Sequence, residues 1–321
     1  MNKFSAKQFV PTVTNTSNTG SFVDWAVVND YVAKTVQEAV HCEEGSPSSC
    51  VGIISGIVDY GCHQDEERVE PMDSGDQDVK DWRVRMVNQN RATVDDEGMF
   101  HYQAPPAQEV GFFVDFPGVI VDKGQFFGTS NPAPYRVLLG GVFKGQPSSP
   151  TKVNGYLNDN QEWCFGNKNK ASMLARATKL KGIKDGFAQH RLLELIGRPL
   201  QLNVEVYVSE AGFLQERITN PSPLMEGIPI PEYDDSLLFY VSMKEENDAQ
   251  SLKFLTRPCK EYCQSALDYD DSVLRKQLLE LEDTAGKMAA NELKAALTKS
   301  TSESTESQGS DTGSDDDEYP F

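Results

Sequence analysis

Apolar spacing divides the chain into helix-like and strand-like stretches. Residues 22–40 place Val28, Tyr31, Val32, Val36 and Val40 three to four positions apart, the pattern of a helix with one buried face. A loop containing Gly45 and Pro47 follows. Residues 50–60 form a β-branched run broken by Gly52 and Gly56. This predicts a strand with a bulge or a close backbone approach at a glycine. Residues 61–77 are polar and acidic and read as an exposed loop. Residues 82–87 alternate, which predicts a strand with Arg83 and Arg85 on the face opposite Val84 and Met86. Residues 111–121 and 135–143 are further strands, with Pro117 at an edge or ending a ladder.

Residues 155–166 are turn-rich. Helical periodicity returns over 171–180 and 187–196, separated by Gly182 and Gly186, with Gly197 and Pro199 placed to end the second helix. Residues 200–208 alternate most regularly of all and pair in expectation with 213–218 as a hairpin across Glu210-Ala211-Gly212. A connector with Pro221, Pro223, Pro229 and Pro231 leads to a last strand, 236–243. Beyond it, 252–268 reads as a helix with Cys259 and Cys263 on one face, and about 272–298 as another, capped by Asp271. With no internal repeat and no regular βαβ alternation, the pattern favours a β-barrel or α+β core over a doubly wound sheet.

Charge changes the picture in two places. The 321 residues carry 30 Lys+Arg against 49 Asp+Glu, a formal −19. Such a balance excludes a polybasic membrane-surface or nucleosome-type binder. Seven of the acids (Glu303, Glu306, Asp311, Asp315, Asp316, Asp317 and Glu318) lie in 300–321, which has no Lys or Arg, leaving −12 on residues 1–299. The opposite sign gathers between Trp163 and Arg198. There Lys168, Lys170, Arg176, Lys179, Lys181, Lys184, Arg191 and Arg198 face only Asp185 and Glu194, a local +6. Such a stripe gains free energy from counterion release on meeting phosphates, although basic faces are commonly just solvated.

Aromatic residues interleave with these and other cations, the composition of a single-strand binding surface on which bases stack. The candidate DNA-binding residues are Trp82, Arg83, Arg85, Phe113, Tyr135, Arg136, Lys144, Trp163, Lys168, Lys170, Arg176, Lys179, Lys181 and Lys184. Enzyme signatures are missing: no G-x-x-x-x-G-K-[ST], G-x-S-x-G or H-E-x-x-H occurs. No catalytic residue, metal or cofactor is implied. Asp95-Asp96 and Asp234-Asp235 read as solvated pairs, while Asp59 and Asp115 lie in strand contexts. His41-Cys42, Cys50 and Cys62-His63 offer enough ligands for one zinc ion but match no zinc spacing, so reduced cysteines are the expectation. Lys3 and Lys7 are followed by no apolar segment of a secretory signal, and no run is long enough to span a bilayer. A soluble, cytoplasmic protein with no membrane partner is expected, in the host cytoplasm if the chain is viral.

The chain closes Asp315-Asp316-Asp317-Glu318-Tyr319-Pro320-Phe321 after a Ser/Thr/Gln/Gly linker. In this the sequence resembles single-stranded DNA-binding proteins of the phage and bacterial replication type, with Glu318-Tyr319 in place of the family's acid–aliphatic pair. Weaker likeness lies in GIISGIVDYG (52–61), LLELIGRPLQLNVEV (192–206) and FLQERI (213–218). The resemblance implies an α+β, mainly β fold: an OB-like Greek-key β-barrel with inserted and flanking helices and a disordered acidic C-terminal tail. Its organisation would be a flexible arm at 1–20, an OB-like DNA-binding domain at 21–250, C-terminal helices at 251–299 and the tail at 300–321. It further implies non-specific binding of single-stranded DNA in replication, recombination and repair. Residues Asp315 to Phe321 would recruit replication proteins such as polymerase, helicase and primase, and a homo-oligomer is left open. The tail's charges could also occupy the protein's own basic groove and compete with DNA. The alternatives are a non-catalytic adaptor that assembles through helices 252–298 and keeps the tail for solubility, and a metal-dependent nuclease or deaminase.

Overall fold

The computed structural model describes residues 24–139, 150–210, 212 and 214–284. The expectations for the N-terminal arm, Lys144 and the acidic tail lie outside them. The protein mixes helix and sheet, is mainly strand, and has a curled, antiparallel half-barrel sheet. Its contacts divide the described residues into two compact units. One draws on those within 24–50, 118–135 and 203–219, the other on those within 51–117, 136–202 and 220–284. No helix among the described residues is long and apolar enough to cross a membrane.

In the first unit, α1 (Trp25–Val40) starts at Asp24, whose side chain accepts from Ala26 N at 2.9 Å, and closes at His41 in the left-handed region, φ 53°. Val28, Val32, Ala33 and Val36 are buried, the face that the apolar spacing predicts. The principal sheet contains β1 (Ser48–His63), a strand longer than the expected 50–60. The polar stretch after it is no mere loop, because Arg68–Pro71 forms β2. The next element is a correction. Residues 82–87 belong to a helix, α2 (Gln77–Asn88), not to a strand. Asp76 caps it, accepting from Val79 N at 3.0 Å, and Val79, Trp82 and Met86 recur at helical spacing. A short alternating window fits both periods, and the cap decides between them.

Strands β3 (Thr93–Val94) and β4 (Met99–Tyr102) join β2 in a small sheet of order β2-β4-β3. Strand β5 (Ala107–Val121) then pairs antiparallel with β1 from Ile53↔Asp115 to His63↔Ala107. That register ends before Pro117, so β1 asks no donor of the proline. Register shifts fall at Ile54/Gly56 and Asp59/Gly61. The first shift leaves Ser55 as the extra residue, and the expected close approach is found at Gly56, where a Cβ would lie 2.2 Å from the Phe239 ring. Strand β6 (Ala133–Leu139) lies beside β5, and β7 (Thr151–Lys152) pairs with β5.

Strands β8 (Gly155–Leu157) and β9 (Trp163–Phe165) occupy the segment read as turns, and α3 (Lys170–Ala177) matches the first helical stretch after it. The stretch 187–196 is not α-helical: β10 (Phe187–Ala188) pairs with β9, and Gln189–Leu195 is 3₁₀. β11 (Pro199–Val208) and β12 (Leu214–Ser222) stand adjacent in the sheet, turning at Gly212 with φ 82°. The path runs β12-β11-β1-β5-β6. β13 (Phe239–Val241) pairs with β1 in parallel.

The expected helix 252–268 is broken into α4 (Ala249–Lys253) and α5 (Arg257–Gln264), with Pro258 in the first turn of α5. Residues 273–284 are helical, and their cap is Ser272, which accepts from Arg275 N at 3.0 Å, rather than Asp271. Cys259 and Cys263 share a buried face, as their spacing predicts. They pack with Val58, Tyr60, Phe113, Phe239, Leu274 and Leu278 in one apolar cluster.

Asp115, 1% exposed, sits beneath this assembly of strands. It accepts from Ser55 Oγ at 2.7 Å, Arg136 Nε at 2.6 Å, Arg136 Nη2 at 2.8 Å and Tyr233 Oη at 2.7 Å. Removing one partner of a buried pair strands the other charge. Asp115→Ala is expected to cost about 3–5 kcal/mol in urea unfolding. Replacing both Asp115 and Arg136 with apolar residues should recover much of that loss. An Asp115→Ala protein as stable as the parent would show that the network is dispensable.

Candidate nucleic-acid interface

The sequence places its cations around a small module of the second unit. β8 and β9 pair at Gly155↔Phe165, Tyr156↔Cys164 and Leu157↔Trp163, and β10 adds Phe187↔Phe165. Gly155 is obligatory, because a Cβ there would lie 1.7 Å from the Cys164 carbonyl oxygen. Asn169 caps α3 by accepting from Ala171 N at 2.9 Å, and Ala171, Leu174, Ala175 and Ala177 anchor that helix. The helix ends where Thr178 Oγ1 donates to Leu174 O at 2.9 Å and Lys179 turns left-handed, φ 50°. A loop with positive φ at Gly182 and Gly186 then leads back to β10.

This loop and the last turn of α3 enclose an open pocket of about 500 Å³. Arg176, Lys179, Lys181 and Lys184 line it together with Leu180, Ile183 and Phe187. The four cations are exposed, while Leu180 and Phe187 are buried. Arg176 donates to Asn167 O at 2.6 Å and Lys179 Nζ to Leu224 O at 2.9 Å. Both bonds leave the charge uncancelled. Among the described residues, none of the four forms a salt bridge. Arg191 acts differently. It forks onto Glu194 at 2.8 Å and donates to Lys181 O and Gly182 O, both at 3.0 Å. Its hydrogen bond with Glu194 holds the guanidinium above its ordinary pKa and the carboxyl below its own. It braces the cationic loop. Arg198 donates to Glu194 O at 2.6 Å.

The remaining candidates separate into three groups. Lys168 and Arg85 are exposed, and Trp163, 57% exposed, stands opposite Leu157 on the β8–β9 hairpin. Lys170 is half-buried, and desolvation lowers the pKa of its ammonium. The other described candidates are corrected. Arg83 is buried, pairs with Glu70 and donates to Pro71 O at 2.7 Å and Ser74 O at 2.6 Å, so it holds a turn. Trp82 packs edge-on against Phe100 and Tyr102 at 5.5 and 5.3 Å. Phe113 is buried against Phe239 at 5.2 Å, Tyr135 is buried with its hydroxyl donating to Glu216 at 2.7 Å, and Arg136 is committed to Asp115. Arg83, Phe113 and Tyr135 are buried, and the partly buried Trp82 and Arg136 are engaged in packing and in an ion pair.

Tyr156 was not among the candidates. It is 40% exposed, and its hydroxyl lies 2.7 Å from where a Cβ on Gly186 would stand, which puts the phenol against the pocket wall. Its only signal in the sequence is a tyrosine beside Gly155. Among the described residues no three His, Cys, Asp or Glu side chains gather as a metal site, and all six cysteines are free thiols.

If Arg191 braces the loop, Arg191→Ala should speed amide exchange at 181–184 by about an order of magnitude, the effect of losing roughly one net hydrogen bond. Exchange in α3 should stay as it is. Unchanged protection across the loop would show that the brace carries no load. No family model matches the chain, and neither characterised proteins nor solved structures provide a match.

Proposed function

We propose that the protein binds single-stranded DNA without strong sequence preference, does no chemistry on it, and recruits replication proteins through its acidic C-terminal tail. One observation carries this reading: in a chain of net charge −19, Arg176, Lys179, Lys181 and Lys184 converge on a single open pocket. Concentrating cations within an acidic chain costs self-repulsion relief elsewhere on the surface, and a phosphate backbone is the polyanion that rewards it. The exposed Trp163 and Tyr156 on the adjoining hairpin supply π-faces for bases. We read the curled sheet as an OB-like Greek-key barrel, with support from its five-strand path and its long, bulged β1. A cytoplasmic site of action, in an infected host if the chain is viral, belongs to the same proposal.

The adaptor reading also has an observation on its side, since Leu267, Leu279 and Leu281 are exposed near the end of the described chain. An oligo(dT) titration separates the two. Four phosphate contacts predict a slope of log K against log salt of about −3. Lys181→Glu with Lys184→Glu should flatten that slope and weaken binding at least about tenfold at low salt. Absence of oligo(dT) binding at any salt would leave the adaptor reading standing.

The tail enters as a competitor for the same cations. Deleting 300–321 should tighten oligo(dT) binding by about three- to tenfold at low salt, with the gain fading as salt screens the competition. The same deletion should abolish co-purification with a replicative polymerase. Weaker or equal DNA binding after deletion would remove the competitive role.

A further inference from the structure

We infer that the pocket between α3 and β10 seats one whole nucleotide, its base against the apolar wall and its phosphate among the cations. The inference rests on the proposed DNA binding and adds a defined ligand to it. A surface that only tracks a backbone needs a cationic stripe and leaves the bases elsewhere. This site is a concavity. Its lining combines Leu180, Ile183 and Phe187 with Arg176, Lys179, Lys181 and Lys184, which divides it chemically as a nucleotide is divided. Its volume of about 500 Å³ lies within the range of sites that enclose small molecules.

The backbone is shaped to the same end. Lys179 accepts a left-handed conformation, φ 50°, and Gly182 and Gly186 take φ 72° and 113°. Lys181 and Lys184 are thereby carried on a tight return whose carbonyls at 181 and 182 are held by Arg191. Gly186 admits Tyr156 against the wall, since any Cβ there would meet the phenol oxygen at 2.7 Å and Cys164 Cβ at 2.9 Å. The half-exposed ring is positioned to border a seated base. Asn167 also lines the pocket, and its backbone carbonyl holds Arg176.

The test is calorimetry on the full-length protein with dTMP, thymidine and inorganic phosphate as separate titrants, beside oligo(dT). Saturable dTMP binding with a Kd below about 1 mM is expected, with thymidine and phosphate each at least about tenfold weaker. Lys181→Glu with Lys184→Glu should abolish dTMP binding. Both side chains are exposed, so the fold should survive, as circular dichroism would verify. Ile183→Ser should weaken dTMP and leave phosphate unchanged. Phosphate binding as tightly as dTMP, or Ile183→Ser weakening neither, would reduce the site to a plain anion pocket and overturn the inference. Tight oligo(dT) binding without dTMP binding would sink the nucleotide seat and spare the DNA reading. dTMP binding without oligo(dT) binding would do the reverse.

Discussion

A carboxylate withdrawn from water must find donors, and much of the second unit is arranged around the donors that Asp115 finds. Ser55 reaches it from β1, Arg136 from β6 and Tyr233 from the proline-rich connector. The arginine then extends the constraint. Its Nη2 also donates to Leu237 O at 3.1 Å, and its guanidinium lies 5.0 Å from the Phe239 ring centroid and 4.5 Å from that of Phe254. One ion pair therefore fixes where β13 enters beside β1 and where α4 meets it. Such a pair adds little net stability compared with an apolar replacement. Its strength lies in penalising every arrangement that leaves either charge without its partner.

The glycines of β1 and β5 complete what the ion pair begins. Phe239 lies in the space a Cβ on Gly56 would fill, and the Tyr60 hydroxyl does the same at Gly111. Tyr60 in turn lies 3.6 Å from Cys259 Sγ, and burial raises the phenol's pKa well above its ordinary value. Close packing at the two glycines thus brings the C-terminal helices into the strand core. A glycine in a strand weakens it as a strand, and here the missing side chain is used by a neighbour from elsewhere in the sequence.

These contacts show what could be read from the chain and what could not. α1, β1, β5 and the β11–β12 hairpin were legible because each buries a face at its own period or is bounded by a clear turn. α2 was not, since the alternation over Trp82–Val87 also satisfies helical spacing and only Asp76 resolves it. The ion pairs of Arg83 and Arg136 were illegible for a different reason. Arg83 and Arg136 sit beside aromatic residues in the sequence, and a polar residue in a strand-like pattern reads as solvent-facing. Each instead has a carboxylate partner 13 or 21 positions away, Glu70 and Asp115, which no local window reveals. The cations from Arg176 to Lys184 line one pocket because they are close in sequence, so a single loop suffices to bring them together.

The burial of the strand aromatics also bears on where the proposed DNA binding would stack its bases. Along β1, residues 52–61 are buried without interruption, and β5 is buried from Glu109 to Phe116. Strands covered on both faces offer no open platform, whatever their aromatic content. On the β8–β9 hairpin, by contrast, short strands leave Tyr156, Leu157 and Trp163 uncovered. A hairpin too small to bury its own aromatic residues keeps them in water unless a ligand covers them. Under the DNA-binding proposal that ligand is a base whose phosphate meets the cations of the neighbouring loop. Hydrophobic exposure and charge, each unremarkable alone, are placed on one module, and the DNA-binding proposal draws on that placement.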